Sequence, residues 1–167
     1  MILPILCYPD KKLRTVAKAV EVVDDVIRTQ VTDMFETMYD APGIGLAATQ
    51  VDFHQRVIVI DVSEEQNEPL CLINPKIIEK SGEIEWEEGC LSVPNYYESV
   101  KRSNDITVRA LDQNGKEFEI KASEILAVCI QHEIDHLNGV VFPERMHDKT
   151  RARAIRVSMK NLKKDAE

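Results

Sequence analysis

The stretch "GIGLAATQ", Gly43 to Gln50, decides which class of fold the chain adopts. Its opening letters fit the glycine-rich turn of a dinucleotide-binding fold, with Ala48 as the permitted third small residue. Asp61 follows an apolar run, where a ribose-binding acid would stand. That fingerprint needs a strand before the glycines and a helix after them. Here residues 25–40 carry a helical period instead: Ile27, Val31, Met34, Phe35 and Met38 share one face, with Asp24 or Asp25 placed to cap it. After the glycines comes "RVIVIDV" (56–62), a strand. Context excludes the dinucleotide reading, and the glycines serve something else.

Further strands follow in "LCLINPKII" (70–78), "EIEWEE" (83–88) and "DITVRAL" (105–111), and "DQNGK" supplies the Asn-Gly signal of a hairpin into "EFEIKA". A helix is expected from Ser123, its N-cap, to about Asn138, closed by Gly139. A last helix over 148–164 sets Ala152, Ile155, Met159 and Leu162 on one stripe beneath a basic face. Helix, strands, helix, helix is the order of an α+β fold. The expected architecture is antiparallel sheets packed around a central metal-binding helix, with a C-terminal helix. No repeat or linker interrupts residues 1–167, which read as one domain.

Hydrophobic residues at 44% and charged residues at 30% give an ordinary globular balance. No apolar run approaches the ~20 residues a membrane helix needs. The start, "MILPILCYPDKK", lacks a basic leader and is interrupted by Pro4, unlike a signal peptide. A cytoplasmic protein is expected, and its four cysteines read by default as buried thiols, with metal ligation or nucleophilic catalysis as the minority reading. The net charge of −8 is polarised: residues 149–167 carry +5 and residues 1–148 carry −13. Such a tail suits a polyanion such as RNA, although a charge run is also what a solvated helix face looks like.

Chemistry concentrates in "QHEIDH" (131–136). His132 and His136 stand four residues apart on the expected helix, so both imidazoles leave one face and can share a metal ion. Glu133, beside the first ligand, can reach a metal-held water as general base. A third ligand is needed. One zinc-protease pattern runs H-E-x-x-H-x-x-G-x-x-H; the chain follows it through Gly139, then places Phe142 where the last histidine belongs. Another pattern draws a glutamate from a later helix, and residues 148–165 contain none. Cys129 shares the histidine helix but lies seven residues from His136, roughly 10 Å of axial rise. Cys90, in "EEGCLSVP", directly follows a strand and Gly89, which lets backbone approach a ligand closely.

Cys90 is therefore the expected third ligand, a buried thiol at a strand end being the competing reading. Three protein ligands leave one position open, where bound water falls in pKa from ~15.7 toward ~7. That points to metal-assisted hydrolysis of a carbonyl compound. Ile125, Val128 and Cys129 share the face of His132, either as a pocket wall beside the metal or as core.

Together and in this order, "GIGLAATQ", "EGCLS" and "QHEIDH" resemble the three signature motifs of the peptide deformylases. The likeness extends through "YPDKKLR" and "INP" (73–75) over nearly the whole chain. The resemblance implies a hydrolase that removes the formyl group from the N-terminal formylmethionine of nascent chains. It implies that the Gln50 side chain and the Leu91 backbone N–H hold the carbonyl oxygen as it becomes an oxyanion, and that Glu133 moves the proton. Ile44 and Gly45 would pair with an extended peptide as an added strand, with Gly89 also at the substrate. Methionine would lie against Ile44, Ile125, Val128, Cys129 and His132.

Ligand softness alone suits a Cys/His₂ site to zinc. The resemblance instead implies Fe²⁺, with Zn²⁺, Ni²⁺ or Co²⁺ able to substitute. Asp135 is expected to pair with an arginine such as Arg102. Tyr97 stands where many bacterial members carry arginine, and Trp86 where a smaller aliphatic residue is expected. The implied partners are formylmethionyl polypeptides and, through the basic helix, ribosomal RNA; neither membrane nor DNA is expected, and the chain should be a monomer.

Overall fold

The computed structural model describes the backbone of residues 1–166 and side chains through Leu162. Among the described residues three α-helices, α1 (Asp25–Asp40), α2 (Glu124–Leu137) and α3 (Lys149–Ala166), accompany seven strands. The strands are β1 (Gly45–Ala47), β2 (Val57–Ile60), β3 (Leu70–Ser81), β4 (Ile84–Cys90), β5 (Val93–Arg102), β6 (Asp105–Leu111) and β7 (Glu117–Ser123). Short 3-10 turns lie at Lys11–Arg14, Ala48–Val51 and Phe142–Arg145. Among the described residues no helix is long and apolar enough to cross a membrane.

Five strands form one antiparallel sheet in the order β1-β2-β3-β6-β7, and β4 and β5 form a separate antiparallel pair. The run "VIVI" of β2 is buried on both faces, and its alternation explains why. Ile58 and Ile60 pack into the cluster around α2, whereas Val57 and Val59 pack into the one around α1. The sheet thus lies between two helices, and a strand covered on both sides reads as a continuous apolar run. Asp24 caps α1 by accepting the Ile27 N–H at 3.1 Å, and Ile27, Val31, Met34 and Met38 are buried as their spacing predicts.

Buried residues run almost all round α2, so it is the central helix. A third cluster joins Val93 and Val100 of β5 to Phe142, Ile155 and Met159, so β5 shares its apolar core with α3.

Several details differ from expectation. Ser123 occupies the N-cap position of α2, but its hydroxyl makes no capping bond. Leu162 is 61% exposed, because the apolar stripe of α3 meets its partners through Ala152, Ile155 and Met159. Strands β1 and β5 have no counterpart among the expected elements. The first is too short to show a period, and "PNYYESVKR" is too polar to read as a strand.

Candidate metal centre

Three elements converge at one point. Cys90 closes β4, and His132 and His136 project from α2; Cys90 Sγ and a ring nitrogen of each histidine lie within 4.8 Å of one another. Cys90 Sγ is 3.3 Å from His136 Nε2. The β4–β5 register shifts between Glu88 and Cys90, which turns the cysteine out of the simple strand alternation. Gly89 sits in this irregularity beneath the Tyr97 ring, where an added Cβ would come within 2.5 Å of the ring edge.

Ring orientation is set by Glu88. Its Oε1 accepts from His132 Nδ1 at 2.7 Å, leaving Nε2 as the nitrogen free to ligate. Arg102 grips Glu88 through Nε and Nη2 at 2.6 and 2.9 Å, and donates through Nη1 to Asp135 Oδ2 at 2.7 Å. The expected Asp135–Arg102 pair is therefore present. Burial pushes the Glu88 carboxyl up, but hydrogen bonds from His132 and Arg102 outweigh it and hold the group below its usual range. Glu88 was not among the residues expected from sequence. Its signal lies in the alternation of "EIEWEEGC": it shares a strand face with Ile84 and Trp86 and is buried, while Glu85 and Glu87 face solvent.

Electrostatics mark the point where the three donors meet as one that calls for positive charge. Burial lowers the basicity of His132, yet its hydrogen bonds to Cys90 and Glu88, with Glu133 close by, raise it well above an ordinary histidine. His136 moves the opposite way, because burial and then the charges of His132 and Arg102 keep it neutral. A neutral imidazole is the form that ligates. Burial also pushes the Glu133 carboxyl up to about 7. At this site Glu133 Oε2 and His136 Nδ1 are buried with no hydrogen-bond partner among the described residues. A sulfur, two imidazoles, an unpartnered carboxylate oxygen and a local demand for cationic charge fit a divalent metal ion.

The glycine stretch forms the facing wall. Gln50 lies on the 3-10 turn Ala48–Val51 and is 1% exposed. Its Oε1 accepts the Ala47 N–H at 2.9 Å, which turns Nε2 toward Ser92 Oγ at 3.0 Å and Cys90 Sγ at 3.5 Å. Ser92, like Glu88, was not expected. Gly45 has no room for a side chain: an added Cβ would lie 2.8 Å from Cys129 Sγ and 3.1 Å from Glu133 Oε1. Gly43 is as tightly placed, against Leu91. Strand β1 is an edge of the five-stranded sheet, paired with β2 on one side only.

A cavity of about 760 Å³ opens beside the cluster. Ile44, Gly45, Gly89, Ile125, Val128 and Cys129 all line it, with Cys90, Leu91, His132 and Glu133. Val128 and Cys129 serve as both pocket wall and core, since each is buried and Cys129 also belongs to the cluster around α2. Trp86 and Tyr97 line the same cavity, with Tyr97 66% exposed.

Residues 2–163 match the family model for polypeptide deformylase. The chain belongs to the peptide deformylases. It is 55% identical to the peptide deformylase of Chromobacterium violaceum, over 98% of this chain and 97% of that protein. It is 58% identical to that of Cellvibrio japonicus, over 91% and 90% respectively. The crystal structure of a peptide deformylase from Legionella pneumophila superposes with a TM-score of 0.90 at 45% identity, covering 98% of each chain. As a peptide deformylase the chain is an enzyme, one that removes the N-formyl group from newly synthesised polypeptides. Deformylases are metal-dependent, and Cys90, His132 and His136 are a group of side chains that could hold such an ion.

Proposed function

We propose that the chain hydrolyses the formyl amide of an N-terminal formylmethionine by the combined action of Glu133, Gln50 and the Leu91 backbone amide at a Cys90/His132/His136 metal site. The observation that carries this reading is the convergence of the three donor atoms within 4.8 Å, directly beside a buried Glu133 whose Oε2 has no protein partner. A divalent cation held there supplies Lewis acidity, polarising the carbonyl and making water acidic. Fe²⁺ is the proposed physiological ion, with Zn²⁺, Ni²⁺ or Co²⁺ as substitutes. Glu133 Oε2 takes a proton from the attacking water and returns it to the amine nitrogen as the C–N bond breaks. Gln50 Nε2, fixed by the Ala47 N–H on its other atom, donates to the oxyanion together with the Leu91 N–H.

The peptide lies along Ile44 and Gly45, where the open-edged strand β1 begins, and the absent side chain of Gly45 lets its backbone approach Glu133. The methionine side chain fills the wall formed by Ile125, Val128 and Cys129, next to Gly89. Residues 1–167 act as one catalytic domain, monomeric and cytoplasmic.

A second contact is supported by α3. Lys149, Arg153, Arg156 and Lys160 are exposed on it, which suits ribosomal RNA where formylated chains emerge. Arg151 is otherwise engaged, with Glu98 at 2.8 Å. Because Ile155 and Met159 of α3 are core, deleting the helix would confound the test. Reversing Arg153, Arg156 and Lys160 to Glu should abolish co-sedimentation with ribosomes at low salt, and undiminished co-sedimentation removes the idea.

The deciding experiment is turnover of a formyl-methionyl peptide by the wild type and by Glu133→Ala. Loss of about 10²–10⁴ in rate with the bound cation retained supports the reading. Wild-type turnover by the variant, or cleavage of internal peptide bonds by the parent, overturns it.

A further inference from the structure

The ligand trio is split between two hydrophobic clusters. His132 and His136 ride on α2, whose apolar side belongs to the cluster with β2, β6 and β7. Cys90 packs instead into the cluster of β5, the Phe142–Arg145 turn and α3. The joint between the two is largely polar. Cys90 meets His136, Glu88 meets His132, and Gln131 bonds the backbone of Ser103. At its centre Asp135 of α2 receives two arginines, both from the Cys90 side.

Arg145 reaches Asp135 as a fork, Nη2 to Oδ1 at 2.9 Å and Nε to Oδ2 at 3.1 Å, while Arg102 takes Oδ2 at 2.7 Å. Arg102 then forks onto Glu88, which holds His132. Two carboxylates and two guanidinium groups close this chain with no net charge, and the Arg145 end is the one in contact with solvent, with a side chain 52% exposed.

We propose that Arg145 is a positioning residue for the metal site. By fixing both oxygens of Asp135, it keeps Arg102 committed to Glu88 and holds the Cys90 layer in register with the histidine pair. Without it, Arg102 is left as the sole guanidinium on both carboxylates, and the free Asp135 oxygen competes with Glu88 for it. The planar fork specifies orientation, which a point charge does not. The Arg145 side chain is half exposed, and the buried Asp135 keeps Arg102 as a partner when it is lost, so its effect falls on geometry more than on folding. Loss of an outer partner of a ligating histidine weakens metal binding about 10–100-fold.

The inference rests on reading Cys90, His132 and His136 as the cation site, and the test separates the two. Full-length metal-free protein is titrated with Co²⁺, following the thiolate-to-cobalt absorption, and the melting temperature of the metal-free form is recorded beside it. In Arg145→Gln the Co²⁺ affinity should fall about tenfold with weakened sulfur absorption, and the metal-free melting temperature should stay within about 3 °C of wild type. Arg145→Lys, which keeps the charge and loses the fork, should bind Co²⁺ with intermediate affinity. Wild-type Co²⁺ affinity and absorption in Arg145→Gln overturn the proposal, as does a loss matched by a large fall in metal-free melting temperature. Failure of the wild type itself to bind Co²⁺ with sulfur absorption overturns the reading of the trio, whatever Arg145 does.

Discussion

Glu88 Oε1 stands 2.7 Å from His132 Nδ1, so a carboxylate on a two-stranded sheet fixes the tautomer of a histidine on the central helix. The same carboxylate carries the Arg102 fork, and the pair is almost wholly buried. Glu88→Gln keeps an acceptor for His132 but gives up the charge that Arg102 needs. It should weaken Co²⁺ binding about 10–100-fold. Glu88→Ala should in addition destabilise the fold by about 3–5 kcal/mol, because a buried guanidinium loses its main partner. Metal titration and urea unfolding of both variants check these outcomes.

Gln50 is clamped on its carbonyl side and directs its amide toward Cys90 and Ser92. Gln50→Ala should cut kcat by about 10²–10³ and change KM far less, as expected for a donor that strengthens only when charge develops on the substrate oxygen. Steady-state rates on a formyl-methionyl peptide measure the split. A raised KM with unchanged kcat would make Gln50 a binding residue.

Gly139 ends α2 with φ of +78°, and an added Cβ would lie 2.4 Å from the Arg14 carbonyl oxygen. Gly139→Ala therefore meets both a left-handed backbone and a backbone clash. A loss of more than about 1 kcal/mol is expected in denaturant unfolding.

Asp61 and Tyr39 share a 2.6 Å hydrogen bond below the glycine strand, and the Asp61 N–H donates to the Ile44 carbonyl. Burial raises the Asp61 carboxyl, but bonds from Ser63, Tyr39 and the Glu68 amide leave it below the usual range. A depressed carboxyl stabilises the fold above its unfolded pKa of ~3.9 and loses that contribution as pH falls through the folded value. Tyr39 is raised to about 12 by burial and by Asp61, so its contribution is complete below ~10 and lost as pH rises toward 12. Asp61→Asn should flatten the acid limb of a stability–pH curve and Tyr39→Phe the alkaline limb. Thermal melts across pH read both.

What the sequence makes legible is what is local. The four-residue spacing of His132 and His136, the cap at Asp24 and the glycine after α2 each depend on neighbours along the chain, and each is found in place. Gly45 is a contrary case, since the tight approach that requires a glycine there is to Cys129 and Glu133, more than eighty residues away. Glu88 and Ser92 escape because their partners, His132 and Gln50, lie more than forty residues away, at 44 and 42. Arg145 escapes for a different reason: it is exposed and looks like any surface charge until Asp135 is seen in its fork. Strand β5 alternates polar residues with half-buried ones and becomes a strand only by pairing with β4.

X-ray absorption at the zinc edge of the fully loaded protein asks about the ion's neighbours without relying on turnover. One sulfur near 2.3 Å and two imidazole nitrogens near 2.0–2.1 Å, with the sulfur lost in Cys90→Ser, is the predicted result. A spectrum with no sulfur, or one unchanged in Cys90→Ser, would contradict it.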